Sequence, residues 1–395
     1  MSPLRGVGIL VQDVDALGGS ERQARLLSEE LTAMGERVLL LTCNGAGPLG
    51  RPRGPWRERR RGVDIVRLPT LGFEAAAGPI LARAECDVLY AVGVMMGAFA
   101  GRLGRLLDAP VVVKLACSGP WGDVAALDAL EPGAKARARI DLAEASVVCL
   151  SADLVREAEG AGLGRVRLRV PNGVPPPPPG AAMRLCEGPT VLFVGRLDDQ
   201  KGVDVLLDAW AELPEDVAEA QLLLAGEGPA RRALEAQAVR LGIGERVRFL
   251  GRRSDVWGLL RGATLCCLPS RSEGLSNALL EALAVGCPLV VSDIPANVEV
   301  VGDDAGLVAQ VDDPTSLALC LARGLRDSEL RSRLAAAGVA LIERDYALRV
   351  VAERHQELFR SLPRRPRPGL ARLGPRYLQA RAQSAQRLLS RFLRP

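Results

Sequence analysis

Short apolar runs alternate with helix-patterned segments along most of this 395-residue chain, and no other feature limits its fold as much. The runs cover residues 7–11, 38–42, 63–68, 88–91, 111–115, 146–150 and 166–170, and then 191–194, 222–225, 247–250, 263–268, 289–292 and 306–309. Strands that are apolar at consecutive positions are buried on both faces, the pattern of a parallel sheet covered by helices on each side. Between the two series Pro171-Asn172-Gly173-Val174 leads into five consecutive prolines that end at Gly180. Such a run has no hydrogen-bond donors and reads as a stiff, extended connector. The length also exceeds what a single core usually serves. The expected organisation is a Rossmann-like domain over residues 1–172, a Pro-rich linker over 173–186, a second Rossmann-like domain over 187–344, an amphipathic helix over 345–360 and a basic tail over 361–395.

Charge and cysteine usage narrow the function classes. The net charge is +4, but residues 361–395 carry nine Arg and no acid, so without them the rest of the chain stands at −5. A nucleic-acid partner would require a basic patch with interleaved aromatics on the body, and none is present. In the tail, Leu378, Ala382, Ala385, Leu389 and Phe392 alternate four and three residues apart with Arg between them. That narrow apolar stripe fits either contact with an anionic membrane surface or a disordered Arg-rich end. Nine scattered cysteines without a Cys-x-x-Cys pair fit a reducing cytoplasm. Residues 88–101 are the most apolar stretch, yet they are too short for a membrane span and hold three Gly, so a buried strand and helix explain them. Residues 1–11 are too short for a secretory signal and run into Gln-Asp-Val-Asp. The expected location is cytoplasmic, peripheral on the inner face of a membrane if the tail binds lipid.

Chemistry concentrates in a few strand-to-helix turns. The strand over 263–268 enters Pro269-Ser270-Arg271-Ser272-Glu273-Gly274, and a helix opens near Ser276 and stops at Gly286 and Pro288. Ser276 stands where an N-cap belongs, so the first backbone N–H groups carry the positive end of the helix dipole into the loop and suit an anion. Glu273 lies in that loop and Glu281 inside the helix; taken singly, each would ordinarily be a solvated surface charge. The strand over 191–194 enters Gly195-Arg196-Leu197-Asp198-Asp199-Gln200-Lys201-Gly202, whose two cations can both reach one diphosphate. In the first half, Gly18 and Gly19 precede a helix over 20–34, with Ser20 and Gln23 spaced as a capping box and Gly35 as its stop. This Gly-Gly is either a close-approach turn for a ligand or a plain tight turn. There is no Gly-x-Gly-x-x-Gly after the first strand, so a dinucleotide cofactor is not expected. Residues 52–62, rich in Arg and Pro, read as an exposed loop. The loop after the strand over 111–115 offers Lys114, Ser118, Trp121 and Asp123 at the edge where open α/β sheets bind ligands. His355, the only histidine, reads as structural.

The Pro-Ser-x-x-Glu-Gly stretch with Glu281 and its Gly-x-Pro flank, together with Gly-Arg-Leu-x-x-x-Lys-Gly, resembles the signatures of the retaining glycosyltransferases of family 4, and the resemblance runs from about Gly6 to His355. It implies the GT-B fold, an α/β arrangement of two Rossmann-like domains facing across a cleft, with the helix over 345–360 crossing back to the first domain. It further implies transfer of a sugar from a nucleoside-diphosphate sugar to a hydroxyl acceptor, glycan or lipid-linked, with retention. By resemblance Glu273, Arg196 and Lys201 are the catalytic candidates, the two cations holding the diphosphate. Glu281 would hold the ribose, and Gly274, Leu275, Ser276, Gly18, Gly19 and Val256 would complete the donor site. The acceptor side would draw on Lys114, Ser118, Trp121 and Asp123, although the functional His that many family members carry after this strand is missing here. The nucleotide sugar is a substrate, and neither a metal nor another cofactor is expected; Asp13 and Asp15 have Asp-x-Asp spacing but sit in a loop of the acceptor-side domain. Competing readings are a sugar-nucleotide epimerase of the same architecture and a catalytically silent partner subunit.

Overall fold

A computed structural model describes residues 4–16, 18–43, 54–70, 73–183 and 186–363. The tail positions Leu378, Ala382, Ala385, Leu389 and Phe392 lie outside the described residues. The chain forms two units. One holds the chain up to Val170, apart from Ser151–Asp153, and resumes at Val351; the other holds Pro171–Val350 with Ser151–Asp153.

In the first unit the strands are β1 (Val7–Val11), β2 (Val38–Thr42), β3 (Arg57–Arg60), β4 (Val63–Arg67), β5 (Val88–Val92), β6 (Val111–Lys114), β7 (Ser146–Cys149) and β8 (Val166–Arg169). They form one sheet in the order β3-β4-β2-β1-β5-β6-β7-β8, parallel throughout except that β3 runs antiparallel to β4. β1, β2, β5, β6 and β7 are buried at every position, as their mainly apolar sequences require, with Thr42, Lys114 and Ser146 buried at strand ends. One face gathers Ile9, Leu40, Tyr90, Val112 and Val148 against Leu27 and Leu31 of the helix Gly19–Ala33 and against Val351, Ala352 and Phe359 of the helix Leu348–Ser361. The last helix is also tied by Gln356 and Arg360, which donate to Glu36 at 2.6 and 2.8 Å.

Two local expectations fail. Residues 57–60 are not loop but strand: Arg-Glu-Arg-Arg pairs along the sheet edge, where no apolar signal is needed and charge discourages pairing with another chain. Ser20 and Gln23 do not form a capping box. The helix begins at Gly19, and Gly18, extended at φ −67° and ψ 154°, is an N-cap without a side-chain bond.

In the second unit β9 (Thr190–Val194), β10 (Gln221–Ala225), β11 (Val247–Gly251), β12 (Leu265–Leu268), β13 (Leu289–Ser292) and β14 (Leu307–Ala309) make a parallel sheet in the order β11-β10-β9-β12-β13-β14. Its two chain ends meet: Val174 N–H donates to Tyr346 O at 2.9 Å and Leu348 N–H to Val174 O at 2.8 Å. Trp210, Phe193 and the Leu side chains of the central strands fill its core. No helix among the described residues is long and apolar enough to cross a membrane.

Candidate functional site

The strand order of the second sheet decides where a ligand can sit. Connections leave β9 toward β10 and β11 on one side, and β12 leads to β13 and β14 on the other. Loops diverging from the carboxyl ends of β9 and β12 therefore open a crevice at the reversal of strand order, the place where open α/β sheets bind ligands. Those are the loops 195–202 and 269–276, which carry Arg196, Lys201, Glu273 and Ser276.

The two loops are fastened to each other. Arg271 N–H donates to Gln200 O at 2.8 Å, and Gln200 Nε2 returns a bond to Ser272 O at 2.9 Å. The Arg271 guanidinium reaches Asp199 O at 2.6 Å, Asp204 at 2.9 and 2.7 Å, and Asp312 at 2.6 Å, and its bonds to Asp204, with Asp312 adding to them against the cost of burial, make the guanidinium hold its proton more tightly than usual. Gly202 makes the approach possible. Its φ of +63° is left-handed, and a Cβ there would stand 2.1 Å from Pro269 O. Gly202→Ala must therefore adopt a conformation costing about 1–2 kcal/mol and also push the loops apart. We expect a stability loss above about 2 kcal/mol, read from urea unfolding; an unchanged midpoint would show that the loops are not held at this spacing.

Within this frame Lys201 Nζ meets Glu273 Oε1 at 2.5 Å, and Ser270 Oγ donates to the same oxygen at 2.9 Å. Ser270 O is held by Ser292 Oγ at 2.5 Å, and Asn297 steadies Ser292. Glu273 and Glu281 are both buried, unlike an ordinary surface glutamate. Ser276 is the N-cap of the helix Asn277–Ala284, its Oγ accepting from Leu279 N–H at 3.4 Å. The N–H groups of Gly274, Leu275 and Ser276 take no part in the hydrogen bonds of the described residues. Asn172, from the segment before the prolines, donates to Leu275 O at 3.3 Å and Asn277 Oδ1 at 3.2 Å, and so anchors the helix entry. Lys201 and Glu273 are thus brought together. Arg196 is not in that pair: its side chain is 67% exposed and rests on Asp198. Val256 is the first residue of the helix Val256–Gly262, next to an Arg253–Asp255 ion pair.

The first unit repeats the geometry at lower charge. Its order reverses between β1 and β5, and Gly18 and Gly19 follow β1 at the helix start. Asp123 is turned inward, accepting from Val94 N–H at 3.0 Å, Ala116 N–H at 2.6 Å and Cys117 N–H at 3.4 Å, so it binds the loops after β5 and β6 rather than facing a ligand. Burial pushes its carboxyl up, against those donors and Lys114. Lys114, buried at the end of β6, is brought down to about 7 by desolvation, opposed by Asp123. Ser118 is buried, whereas Trp121 is 47% exposed. Asp15 is committed to Arg67 at 2.9 and 3.2 Å and to Arg60 at 3.4 Å, and Asp13 Oδ1 accepts Asp15 N–H at 3.0 Å. Among the described residues no group of three or more His, Cys, Asp or Glu is placed to hold a metal ion. His355 is buried and closed off: Nδ1 donates to Val351 O at 2.8 Å, which leaves Nε2 to accept from Tyr90 O–H at 3.3 Å. All nine cysteines are free thiols.

Residues 186–340 match the family model of glycosyl transferases group 1, and residues 18–173 match the glycosyl transferase 4-like domain. The chain belongs to the family 4-type glycosyltransferases. This glycosyltransferase is 35% identical over 219 residues to the phosphatidyl-myo-inositol mannosyltransferase of Mycobacterium leprae, a match covering 53% of this chain and 58% of that protein. It is 32% identical over 181 residues to the alpha-D-kanosaminyltransferase of Streptomyces kanamyceticus, covering 45% and 47%. The matched stretches thus span less than two thirds of these curated relatives. Among solved structures, sucrose-phosphate synthase from Thermosynechococcus elongatus superposes with a TM-score of 0.75 at 20% identity, over 90% of this chain and 98% of that one. Anabaena Alr3699/HepE in complex with UDP-glucose gives 0.73 at 19% identity, over 90% and 100%. At such identities the likeness shows the fold, which is GT-B.

The sequence alone had not singled out Asn172, Gln200, Asp198 or Arg271 as parts of the site. Arg271 sits inside the Pro-Ser-x-x-Glu-Gly stretch at a position the pattern leaves open, and its partners lie 41 and 67 residues away.

Proposed function

We propose that this glycosyltransferase moves a sugar from a nucleoside-diphosphate sugar to a hydroxyl acceptor with retention, in glycan, polysaccharide or glycolipid synthesis. The observation that carries the reading is the juxtaposition of Lys201, Glu273 and the capped helix start at the strand-order reversal of the second sheet. A departing diphosphate develops negative charge, and preorganised positive groups at that place stabilise it without rearranging. Lys201, Arg196 and the N–H groups of Gly274, Leu275 and Ser276 are such groups, with the helix dipole behind them. Glu281 would hold the ribose hydroxyls and Glu273 the donor sugar. The acceptor, glycan or lipid-linked, would meet the strand ends of the first unit near Gly18, Gly19, Ser118 and Trp121. Relatives named for phosphatidyl-inositol and lipopolysaccharide glycosylation support a glycolipid or polysaccharide acceptor, and a site peripheral to the inner membrane face fits such an acceptor. No divalent metal or other cofactor is required in this scheme. Of the Asp-x-Asp pair, Asp15 already neutralises Arg67 and Arg60, and Asp13 Oδ1 accepts Asp15 N–H.

A panel of nucleotide sugars tests the reading. A true donor at about a hundredfold its dissociation constant raises stability by roughly 2.7 kcal/mol, and the same donor should release nucleoside diphosphate in the presence of EDTA, with the product keeping the donor's anomeric configuration. An inverted product would remove retention, and transfer that stops with EDTA and returns with Mg²⁺ or Mn²⁺ would move charge stabilisation to a metal.

A further inference from the structure

We infer that Asp198 is a positioning residue that aims Arg196 at the diphosphate; the inference rests on the donor-site reading above. The backbone around these residues is fixed independently of their side chains. Leu197 is fully buried, its N–H donates to Glu227 O at 3.0 Å, and its O accepts from Ala230 N–H at 3.0 Å. Gly228 lies so close that a Cβ there would stand 2.2 Å from Leu197 O. What remains free is the long, 67% exposed side chain of Arg196, and its described partner is Asp198 Oδ2, which takes Nε. An acceptor on Nε leaves the two terminal nitrogens as an outward fork, the geometry that grips phosphate oxygens in pairs.

Asp198 has no ordinary structural duty to explain it. It is the N-cap of the short turn Asp199–Lys201, where aspartate usually accepts a backbone N–H, yet its side chain makes no such bond. Its side chain is only 10% exposed, and Oδ1 is buried without a hydrogen-bond partner among the described residues. A half-satisfied buried carboxylate costs stability. A residue that costs stability while orienting a phosphate-binding cation is explained by the orientation.

Orientation and charge make opposite demands, and this separates the inference from its rival. If Asp198 merely diluted the positive field, its removal would tighten diphosphate binding; if it aims Arg196, removal loosens it. Calorimetric titration of the full chain with UDP and with GDP, at one salt concentration, reads the sign. We expect Asp198→Ala to weaken the diphosphate that wild type binds by about tenfold while leaving the melting temperature no lower. Asp198→Asn, which keeps an oxygen for Nε without the charge, should bind within about threefold of wild type. Arg196→Ala should lose about 10- to 100-fold, and adding Asp198→Ala to it should lose nothing more, because there is no longer a fork to aim. Equal or tighter binding by Asp198→Ala, or additive losses in the double variant, would overturn the inference while leaving the donor site in place. Wild-type protein that binds neither diphosphate would overturn the donor-site reading and this inference with it.

Discussion

Lys201→Ala is expected to lower sugar transfer by about 10²–10³ at saturating donor, the usual consequence of losing one preorganised charge-stabilising group. The effect should fall on kcat, because the developing charge on the leaving diphosphate exists only as the bond breaks. The substitution has a second consequence that must be separated from the first. Lys201 is the cation on Glu273, whose side chain is 10% exposed, so the substitution also takes the ion pair away from that carboxylate while Ser270 still donates to it. A buried carboxylate that loses its cation costs stability. Adding Glu273→Gln to Lys201→Ala should therefore restore the melting temperature without restoring turnover. If the single variant transfers sugar within about threefold of wild type, Lys201 does not stabilise the leaving group.

The second large effect concerns acid stability of the first unit. His355 is neutral in the fold: burial, with Lys114 adding to it, lowers its pKa from 6.5 to about 4, while the Val351 carbonyl pulls the other way. Tyr90 O–H donates a hydrogen bond to Nε2, and Tyr90 and Phe359 stack edge-on against the imidazole, at 5.5 and 6.0 Å. An unfolded chain takes up a proton near pH 6.5 and the folded one only near 4. The stabilisation is therefore complete above about pH 6.5 and drains away as the pH falls toward 4, by about 3 kcal/mol in all. Lys114, brought to about 7, acts in a separate window between about 7 and 10.5, so it does not add slope here. Unfolding free energies of wild type and His355→Gln between pH 7 and 4.5 should converge as the solution is acidified. Parallel curves would mean that the imidazole is solvated.

What could be read from the residues follows from what buried parallel strands demand. β1, β2, β5 and β13 are apolar at nearly every position because neighbouring side chains face a helix layer on both sides, and a run of that kind cannot hide. β3 could not be seen for the converse reason: an edge strand bonded on one side tolerates Arg-Glu-Arg-Arg, and its pairing is set by β4. Lys201 and Glu273 were legible as members of two separate turns. Their contact spans 72 residues and depends on Gly202 lying under Pro269, a relation with no local periodicity. Asp123 had the composition of a ligand contact, yet the three backbone donors that claim it belong to two different loops. A polar residue after a strand can serve the ligand or the turn, and only the partner's position tells which.

The first unit is broken in sequence: its chain leaves at Val170 and resumes at Val351, with the ends of the intervening unit clamped together at Val174, Tyr346 and Leu348. During synthesis the ribosome must therefore make the whole of Pro171–Val350 before the helix bearing Val351, His355 and Phe359 emerges. At roughly 5–20 residues per second this is a delay of about 10–40 seconds. Throughout it, Tyr90 and Val112 on the finished sheet face lack their cover, while the second unit, contiguous and closed at its neck, can fold to completion. The later-made half is thus the first able to mature, and the earlier half depends on the nascent chain being kept from aggregation until its last helix arrives.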